Sequence, residues 1–372
     1  MDLDSRLVKA LKHQKEKNLF RELKASVNLI DFCSNDYLGI ARSEDLYRRI
    51  AARYLDLEHK MNGSTGSRLL TGNSQSAEEL ERKLAEVFNS EAVLILNSGY
   101  IANLAIFSSI PQRNDTILFD ELAHASIKDG ARLSLAKRFI FRHNDLNDLE
   151  ARLKRTSGNV YVAVESVYSM DGDECPLRDL IALTAKYGAF VILDEAHSTG
   201  IRGLNGSGIA TSLGIEQNID VRLYTFGKGM GIHGACIAGS RKLIDYIINF
   251  ARPFIFTTAL SPHSIVSIDC AFDYLKENMY LQSTLSQNIN MFLGGIGDLP
   301  NRTPSTSAIQ TLIFPGNSNV KNVASSLQRE GFDIRPIVSP TVPTGFERLR
   351  ICIHTFNTSL EIAKLTDELK KL

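Results

Sequence analysis

Residues 221–240 read VRLYTFGKGMGIHGACIAGS, and the interpretation of the whole chain starts from this segment. Its first six residues are apolar, aromatic or β-branched at several positions, which predicts a short buried strand. Four glycines then surround the single Lys228. Because glycine tolerates backbone angles and close approaches that other residues resist, the segment can bring the lysine amine against a bound molecule and let it form a Schiff base with a carbonyl.

The same segment allows two other interpretations. Most lysines beside glycines are solvated loop residues. The spacing of Gly229, Gly231 and Gly234 also fits the dinucleotide pattern GxGxxG, which needs a following helix and an acidic residue about 20 positions on. Here an apolar ACIAG run follows, and the expected acidic position falls near Phe254. The pattern therefore does not favour a nicotinamide cofactor.

A second strand-end motif lies upstream of the lysine. Residues 189–200 read AFVILDEAHSTG, an apolar strand that ends in Asp194 and is followed by His197. Since ligands of open α/β sheets bind at the carboxyl ends of strands, we expect Asp194 and Lys228 at the same edge of one sheet. An acid facing a ring nitrogen together with a Schiff-base lysine is the arrangement that binds pyridoxal 5'-phosphate (PLP). The two motifs therefore predict a PLP site.

Composition narrows the class of protein. The 372 residues allow two domains with a substantial core, and 42 basic residues balance 42 acidic ones, so no global field favours nucleic acid or an anionic membrane. The five cysteines are scattered without a CxxC pair, which predicts reduced thiols in a cytoplasmic protein. The amino terminus lacks the apolar core of a signal peptide, and no apolar run could span a bilayer. We predict no metal site.

Short buried strands alternate with helices from residue 92 to residue 240, which predicts an α/β fold with a mostly parallel sheet. The carboxy-terminal part changes to an α+β pattern, including a strand over 332–336. The predicted division is an N-terminal arm over 1–42, a large PLP-binding domain over 43–268 and a small domain over 269–372. Apolar residues at helical spacing also predict a helix over 3–24 within the arm.

Several loops follow the predicted strands. Residues 97–100 (NSGY) join a strand to a helix, and such a junction offers backbone N–H groups and a positive dipole end to a phosphate. His124 comes just after another strand, where a capping or surface role is the ordinary alternative to function. The loop over 62–74 is rich in glycine and hydroxyl residues, and it suits either a flexible connection or a site.

Taken together, these motifs resemble the α-oxoamine synthases, the fold-type-I PLP enzymes that condense an amino acid with an acyl thioester. The similarity covers nearly the whole chain. The matching segments are SNDYLG at 34–39, GSTGSRLLTGNS at 63–74, NSGYIANLA at 97–105, DELAHAS at 120–126, YSMDGD at 168–173, LDEAHSTG at 193–200, TFGKGMG at 225–231, PTVPTG at 340–345 and RLR at 348–350.

The resemblance implies a role for each residue around the cofactor. Lys228 binds PLP as a Schiff base and transfers protons, and Asp194 keeps the pyridine nitrogen protonated. His197 hydrogen-bonds the phenolic oxygen of the ring, and His124 stacks on its face; Lys228, His124 and Asp194 are the implied catalytic residues. The residues implied to contact the rest of the cofactor are Gly99, Tyr100, Ser169, Thr225 and, across a dimer interface, Thr258.

Substrate positions follow from the same resemblance. Arg350 is the candidate for the amino-acid carboxylate, since a guanidinium fork suits a planar carboxylate, and Asn35 assists it. Arg21 and Thr341 resemble positions that contact the acyl end. Ser67 stands where glycine-using members carry threonine, and its smaller side chain leaves room for the methyl group of alanine.

The implied reaction is the decarboxylative condensation of L-alanine with a pimeloyl thioester, a step of biotin biosynthesis, in a homodimer with shared active sites. The thioester carrier, CoA or acyl-carrier protein, and the role of Arg335 are left open. Two alternatives remain: another member of the family, such as a glycine C-acetyltransferase or a serine palmitoyltransferase, or a PLP-binding module without catalysis.

Overall fold

A computed structural model describes residues 2–23 and 28–372, and its contacts divide the chain into two compact units. The larger unit comprises Asn35–Ser169 and Asp173–Leu285. The smaller unit comprises the described part of Met1–Ser34 together with Met170–Gly172 and Ser286–Leu372. The domain boundaries inferred above, at residues 42 and 268, stay a prediction.

The larger unit is built on a seven-stranded sheet. Its strand order is β2-β8-β7-β6-β5-β3-β4; β8 runs antiparallel to both of its neighbours, and the other neighbouring pairs are parallel. The strands, numbered along the chain, are β2 (Ala92–Leu96), β3 (Thr116–Asp120), β4 (Lys137–Phe141), β5 (Val160–Glu165), β6 (Phe190–Asp194), β7 (Val221–Thr225) and β8 (Ala235–Gly239).

The central strands are apolar on both faces because helices cover both sides of the sheet. In β5, Tyr161 and Ala163 belong to one buried cluster, whereas Val160, Val162 and Val164 belong to a second. Side chains alternate between the two faces of a strand, so continuous apolar runs are what a doubly covered sheet requires. Polar residues consequently collect where the strands end.

Ten helices lie in the larger unit. Several begin at a serine or aspartate whose side chain accepts a backbone N–H of the first turn, the interaction that normally starts a helix. The helices are α2 (Glu44–Leu55), α3 (Gln75–Val87), α4 (Gly99–Ser109), α5 (Ala125–Leu133), α6 (Leu146–Leu153), α7 (Leu177–Lys186), α8 (Ile209–Leu213), α9 (Arg241–Phe250), α10 (Arg252–Ile255) and α11 (Pro262–Glu277).

The smaller unit contains two further sheets. One is antiparallel with the order β11-β12-β9, and the other is a parallel pair of β1 and β10. Its strands are β1 (Ile30–Asp31), β9 (Ile309–Ile313), β10 (Phe332–Asp333), β11 (Arg335–Ile337) and β12 (Arg348–Cys352). The remaining helices are α1 (Leu3–Glu16), α12 (Tyr280–Ile296), which begins in the larger unit, α13 (Asn317–Arg329) and α14 (Ser359–Leu369).

Two predictions for the smaller unit were inaccurate. Helix α1 ends at Glu16 rather than near residue 24, and Asn18 has a φ of +56°, a left-handed conformation that does not continue a right-handed helix. Residue 24 itself lies outside the described residues. The strand expected over 332–336 is divided at Ile334, because β10 pairs with β1 whereas β11 pairs with β12. Within the described ranges, no helix has the length and apolarity needed to cross a membrane.

Candidate active site

Lys228 lies in the turn that joins β7 to β8. The turn begins with a backbone hydrogen bond from the N–H of Phe226 to the carbonyl of Gly234, at 2.9 Å. Gly231 has a φ of +64°, and a Cβ there would lie 2.3 Å from the amide nitrogen of Ala41. Only glycine fits such a position, so the turn is packed directly against the backbone of a second segment.

The amine of Lys228 is held by His197. Its Nζ lies 2.8 Å from Nε2 of His197, and Nδ1 of the same ring lies 2.9 Å from the hydroxyl of Tyr37. That hydroxyl donates to Oδ1 of Asn35 at 2.9 Å. His197 and Tyr37 are buried, with 5% and 0% of their surfaces exposed. Four polar side chains therefore form one connected series that ends at the lysine.

Asp194 is the last residue of β6 and pairs in register with Glu165, the last residue of β5. Its side chain is buried. Oδ2 accepts a hydrogen bond from Nδ2 of Asn103 at 2.8 Å, and Oδ1 accepts one from the amide of Ala196 at 2.9 Å. These two donors hold the carboxylate in one orientation at the carboxyl end of the sheet, the end at which Lys228 follows the adjacent parallel β7.

His124 caps helix α5. Its Nδ1 accepts from the amide of Ser126 at 3.2 Å and contacts the hydroxyl of Ser126 at 2.7 Å. Asn103 donates to that hydroxyl at 2.9 Å and also to Asp194, so Asn103 links Asp194 to Ser126, the hydrogen-bond partner of His124. The side chain of His124 is exposed at the surface of the described structure, yet partial desolvation lowers its pKa. The charge of Lys228 lowers the pKa further, against the opposing effect of Asp194.

Glu165 is a second buried carboxyl group beside Asp194. Its Oε1 accepts the backbone N–H of His124 at 2.6 Å. Burial, followed by the negative charge of Asp194, raises the pKa of Glu165 to about 8, and the positive charge of Lys228 only partly offsets this. Glu165 therefore carries a proton at neutral pH.

Gly99 and Tyr100 form the first turn of helix α4. The first N–H groups of a helix lack intrahelical acceptors, which makes them suitable donors to an anion. A Cβ on Gly99 would lie 3.3 Å from Cβ of Thr225, the last residue of β7. Tyr100 is partly exposed and donates its hydroxyl to Asp129 at 2.5 Å. The helix end and Thr225 are therefore neighbours.

The turn that carries Ser169 is held by His143. Nδ1 of His143 contacts Asp120 at 2.9 Å, and Nε2 contacts Asp173 at 2.7 Å. The amide of Tyr168 donates to the carbonyl of Asp173 at 3.0 Å, which closes the turn around the buried Ser169. Burial alone would lower the pKa of His143, but the hydrogen bonds to both carboxylates outweigh it and raise the pKa to about 10.

The loop over 63–74 is joined to the segment around Thr258. The hydroxyl of Ser64 donates to the carbonyl of Ala259 at 2.7 Å. Ser67 in this loop is half-buried, and Thr258 is exposed. The structure therefore brings these two predicted site residues into one region of the larger unit.

Three predicted substrate residues belong to the smaller unit. Arg21 and Thr341 are exposed. Arg350 lies in β12, where it is opposite Arg335 in register and donates to Sγ of Cys352 at 3.2 Å. Arg335 is itself paired with Asp333, through two hydrogen bonds of 2.5 and 3.1 Å. The substrate roles of Arg21, Thr341 and Arg350 stay predictions.

Four residues of the site were not singled out from the sequence: Tyr37, Asn103, Ser126 and Glu165. Each had a local signal. Tyr37, Asn103 and Ser126 stand inside the motifs SNDYLG, NSGYIANLA and DELAHAS, and Glu165 ends an apolar strand in the same way as Asp194. None of these signals identifies the partner that gives the residue its role.

Comparison with known proteins places the chain in one family. The family described as aminotransferase class I and II matches residues 27–365. The chain is 40% identical to the 8-amino-7-oxononanoate synthase of Emericella nidulans, over 97% of this chain and 93% of the relative. It is 36% identical to the 8-amino-7-oxononanoate synthase of Petrotoga mobilis, over 92% and 88% of the two chains.

Two solved structures share the fold. Serine palmitoyltransferase of S. paucimobilis, bound to a PLP–myriocin aldimine, superposes with a TM-score of 0.90 and 25% identity over 100% of this chain and 98% of the other. The 8-amino-7-oxononanoate synthase of Francisella tularensis superposes with a TM-score of 0.78 and 26% identity, over 92% and 97%. These matches confirm the predicted α/β fold of fold-type-I PLP transferases, and the chain belongs to the aminotransferase class I and II family.

Proposed function

We propose that the chain is a PLP-dependent 8-amino-7-oxononanoate synthase. The observation that carries the proposal is the identity of 36–40% to synthases of that name over more than nine-tenths of the chain. The reaction joins the α-carbon of L-alanine to the carbonyl carbon of a pimeloyl thioester. The thiol leaves as the C–S bond breaks, and the alanine carboxylate leaves as CO2.

The side chains of the larger unit fit PLP. A buried carboxylate, Asp194, and an amine, Lys228, follow adjacent parallel strands at one edge of the sheet. Both charges act on the pKa of His124, which supports a common site for the three side chains. The first turn of helix α4, at Gly99, offers backbone donors to a phosphate. An acid, an amine, an aromatic ring and an anion site are the set that PLP requires.

When bound, PLP supplies an electron-withdrawing ring that stabilises negative charge at the α-carbon of the amino acid. Lys228 is the covalent attachment point for the cofactor, and its amine accepts the α-proton of alanine and returns a proton after CO2 has left. Asp194 would hold a proton at the pyridine nitrogen. His197 would contact the phenolic oxygen, and the ring of His124 would cover one face of the cofactor.

The remaining contacts are part of the same proposal. Ser67 shapes the space for the alanine methyl group, and Asn35 and Arg350 bind the alanine carboxylate. Arg21 and Thr341 contact the acyl end. The proposed phosphate and cofactor contacts are Gly99, Tyr100, Ser169, Thr225 and, from a neighbouring subunit of a homodimer, Thr258.

The substrates, the cellular location and the domain division are also part of the proposal. The substrates are an amino acid and an acyl thioester carried by CoA or by acyl-carrier protein. A cytoplasmic location agrees with the five cysteines, all of which are free thiols. The division into an arm, a large domain and a small domain at residues 42 and 268 remains part of the proposal.

A second candidate is a serine palmitoyltransferase activity, favoured by the TM-score of 0.90 to an enzyme of that name. A substrate panel separates the two: alanine, glycine and serine, each with acetyl-, pimeloyl- and palmitoyl-CoA, followed by thiol release and product mass. We expect turnover with alanine and pimeloyl-CoA. Turnover with serine and palmitoyl-CoA alone, or with glycine and acetyl-CoA alone, would reject the first proposal.

Lys228→Ala tests the chemistry directly. We expect thiol release to fall by roughly 10²–10⁴-fold or more, because the base and the attachment point are both lost. The cofactor absorbance of a lysine-bound PLP should disappear, while thermal unfolding stays cooperative. Lys242→Ala, on the exposed start of helix α9, is the matched control and should behave as the wild type. Wild-type turnover by the Lys228 variant would refute the site.

A further inference from the structure

The hydrogen bonds around His197 determine which of its ring nitrogens carries the proton. The hydroxyl of Tyr37 donates its one proton to Oδ1 of Asn35, at 2.9 Å. The same oxygen lies 2.9 Å from Nδ1 of His197, so it can only accept there, and Nδ1 carries the ring proton. Nε2 is then the unprotonated nitrogen, and it accepts from Nζ of Lys228 at 2.8 Å.

The opposite tautomer would not suit the lysine. With a proton on Nε2, the ring would direct an N–H donor at the protonated amine of Lys228, which has no lone pair to accept it. Neither ring nitrogen can change state freely, because His197 is 5% exposed and Tyr37 is fully buried. The orientation of one tyrosine hydroxyl therefore sets which nitrogen of His197 faces the lysine.

The segment that carries Tyr37 is itself rigidly held. Asp36 accepts the amide of Ala41 at 3.0 Å and Nε of Arg42 at 3.0 Å, which closes residues 36–42 on themselves. A Cβ on Gly231 would lie only 2.3 Å from the amide nitrogen of Ala41. This segment therefore also packs against the turn of Lys228. The segment contacts the lysine region in two independent ways, through its backbone and through Tyr37.

We infer that Tyr37 is a positioning residue of the reaction: by accepting from Nδ1 of His197 and donating to Asn35, it keeps Nε2 of His197 as an acceptor for Lys228. This inference rests on the proposed function of the Lys228 site. The acceptor orients the lysine amine and stabilises it whenever it holds the transferred proton. Tyr37 acts through His197 and is not itself assigned to the reacting atoms.

The test begins with the cofactor-free full-length protein, whose side-chain ¹⁵N signals report the histidine tautomer. His197→Asn assigns the signals. We expect the wild-type ring to show an N–H at Nδ1 and a bare Nε2. In Tyr37→Phe the hydroxyl that accepts from Nδ1 is lost. In Asn35→Ala the hydroxyl remains, but its proton is free to turn towards Nδ1. In both variants the tautomer population should shift to the Nε2–H form. An Nε2–H tautomer in the wild type, or an unchanged tautomer in both variants, would overturn the inference.

Tyr224→Phe is the matched control. Tyr224 is also fully buried in the larger unit, but its hydroxyl accepts from Arg222 at 3.0 Å. Its removal should leave the His197 tautomer unchanged, and a shift as large as that of Tyr37→Phe would make the effect a general result of losing a buried hydroxyl.

The PLP-loaded protein gives a second readout. Tyr37→Phe should lower kcat at least about tenfold and move the pH profile of kcat. An unchanged pH profile would contradict the inference. If the wild type turned over no pair of the substrate panel, the proposed function would fail, whereas the tautomer measurement on the cofactor-free protein would still decide the role of Tyr37.

Discussion

His124 and His143 follow neighbouring parallel strands of one sheet, yet the protein shifts their pKa values in opposite directions. His124 contacts the hydroxyl and the backbone amide of Ser126, and partial desolvation lowers its pKa. His143 lies between two carboxylates, Asp120 and Asp173, which raise its pKa to about 10. The partner groups, rather than the residue type or its place at a strand end, decide the direction of the shift.

The two regions also differ in what they leave available. Both nitrogens of His143 are bonded to carboxylates, and its ring packs edge-on to Tyr168 at 4.5 Å, so the imidazolium fixes the shape of the Ser169 turn. Among the described residues, the side-chain hydrogen bonds of His124 all go to Nδ1, which leaves Nε2 and the ring face available to a ligand. The His143 region therefore stabilises the structure, whereas the His124 region is available for binding a ligand.

Between the two histidine regions, the larger loss of activity should come from removing the carboxylate of the His124 region. Asp194→Asn should lower kcat by roughly 10²–10³-fold, because an amide cannot stabilise the proton on the ring nitrogen. Steady-state kinetics with PLP at saturation measures it. Asp220→Asn, an exposed carboxylate that accepts the amide of Val191 at the other end of the sheet, is the control and should keep the wild-type rate. Equal losses in both variants would show that the defect is general.

His143→Gln should affect stability rather than the chemical step. Removing the imidazolium leaves Asp120 and Asp173 without their cation, and we expect a loss of about 2 kcal/mol in the free energy of unfolding at pH 7. Since the folded pKa of about 10 exceeds the unfolded value of about 6.5, the contribution is complete below pH 6.5 and is lost as pH rises towards 10.

Denaturant unfolding from pH 6 to pH 10 measures this contribution. The difference between wild type and His143→Gln should shrink as pH rises. His59→Gln is the control, because His59 is exposed and lies 4.0 Å from Glu58. A difference that grows with pH would mean that His143 is neutral in the folded protein.

His124→Asn should affect cofactor binding or turnover rather than stability, the reverse of His143→Gln. Asparagine keeps the N-cap of helix α5, so the free energy of unfolding should change little. Loss of the aromatic ring against the cofactor should weaken PLP binding or turnover by about tenfold. Equilibrium titration with PLP and the cofactor absorbance spectrum measure the binding. A large loss of stability with normal PLP affinity would assign His124 to the structure alone.

The smallest effect concerns Glu165. Because its folded pKa of about 8 lies above the unfolded value of about 4.3, the folded state holds an extra proton, and stability falls as pH rises from about 4.3 through 8. Glu165→Gln mimics the protonated form and should remove about 1 kcal/mol of that loss between pH 7 and pH 8. The exposed Glu79→Gln is the control, and parallel pH curves for wild type and Glu165→Gln would contradict the assignment.

Much of the fold could be predicted because it depends on short-range patterns. Apolar runs of five or six residues mark strands β2, β3, β5, β6 and β7, and the capping serines mark the starts of helices. The strand ends that carry Asp194 and Lys228 could be anticipated, since β6 and β7 are adjacent and parallel. The errors arose where the pattern was ambiguous, as in residues 332–336 (FDIRP), where one alternating segment is shared between two sheets.

The residue types of the site and their places at strand ends follow from the amino-acid sequence, because strand and helix periodicity is local. The pKa shifts of His124, His143 and Glu165, the proton on Nδ1 of His197 and the role of Tyr37 follow only from the folded chain. Tyr37 and His197 are 160 positions apart, and Asn103 and Asp194 are 91 apart. Hydrogen bonds and desolvation between such distant segments leave no periodic trace in a sequence, so only tertiary packing defines them.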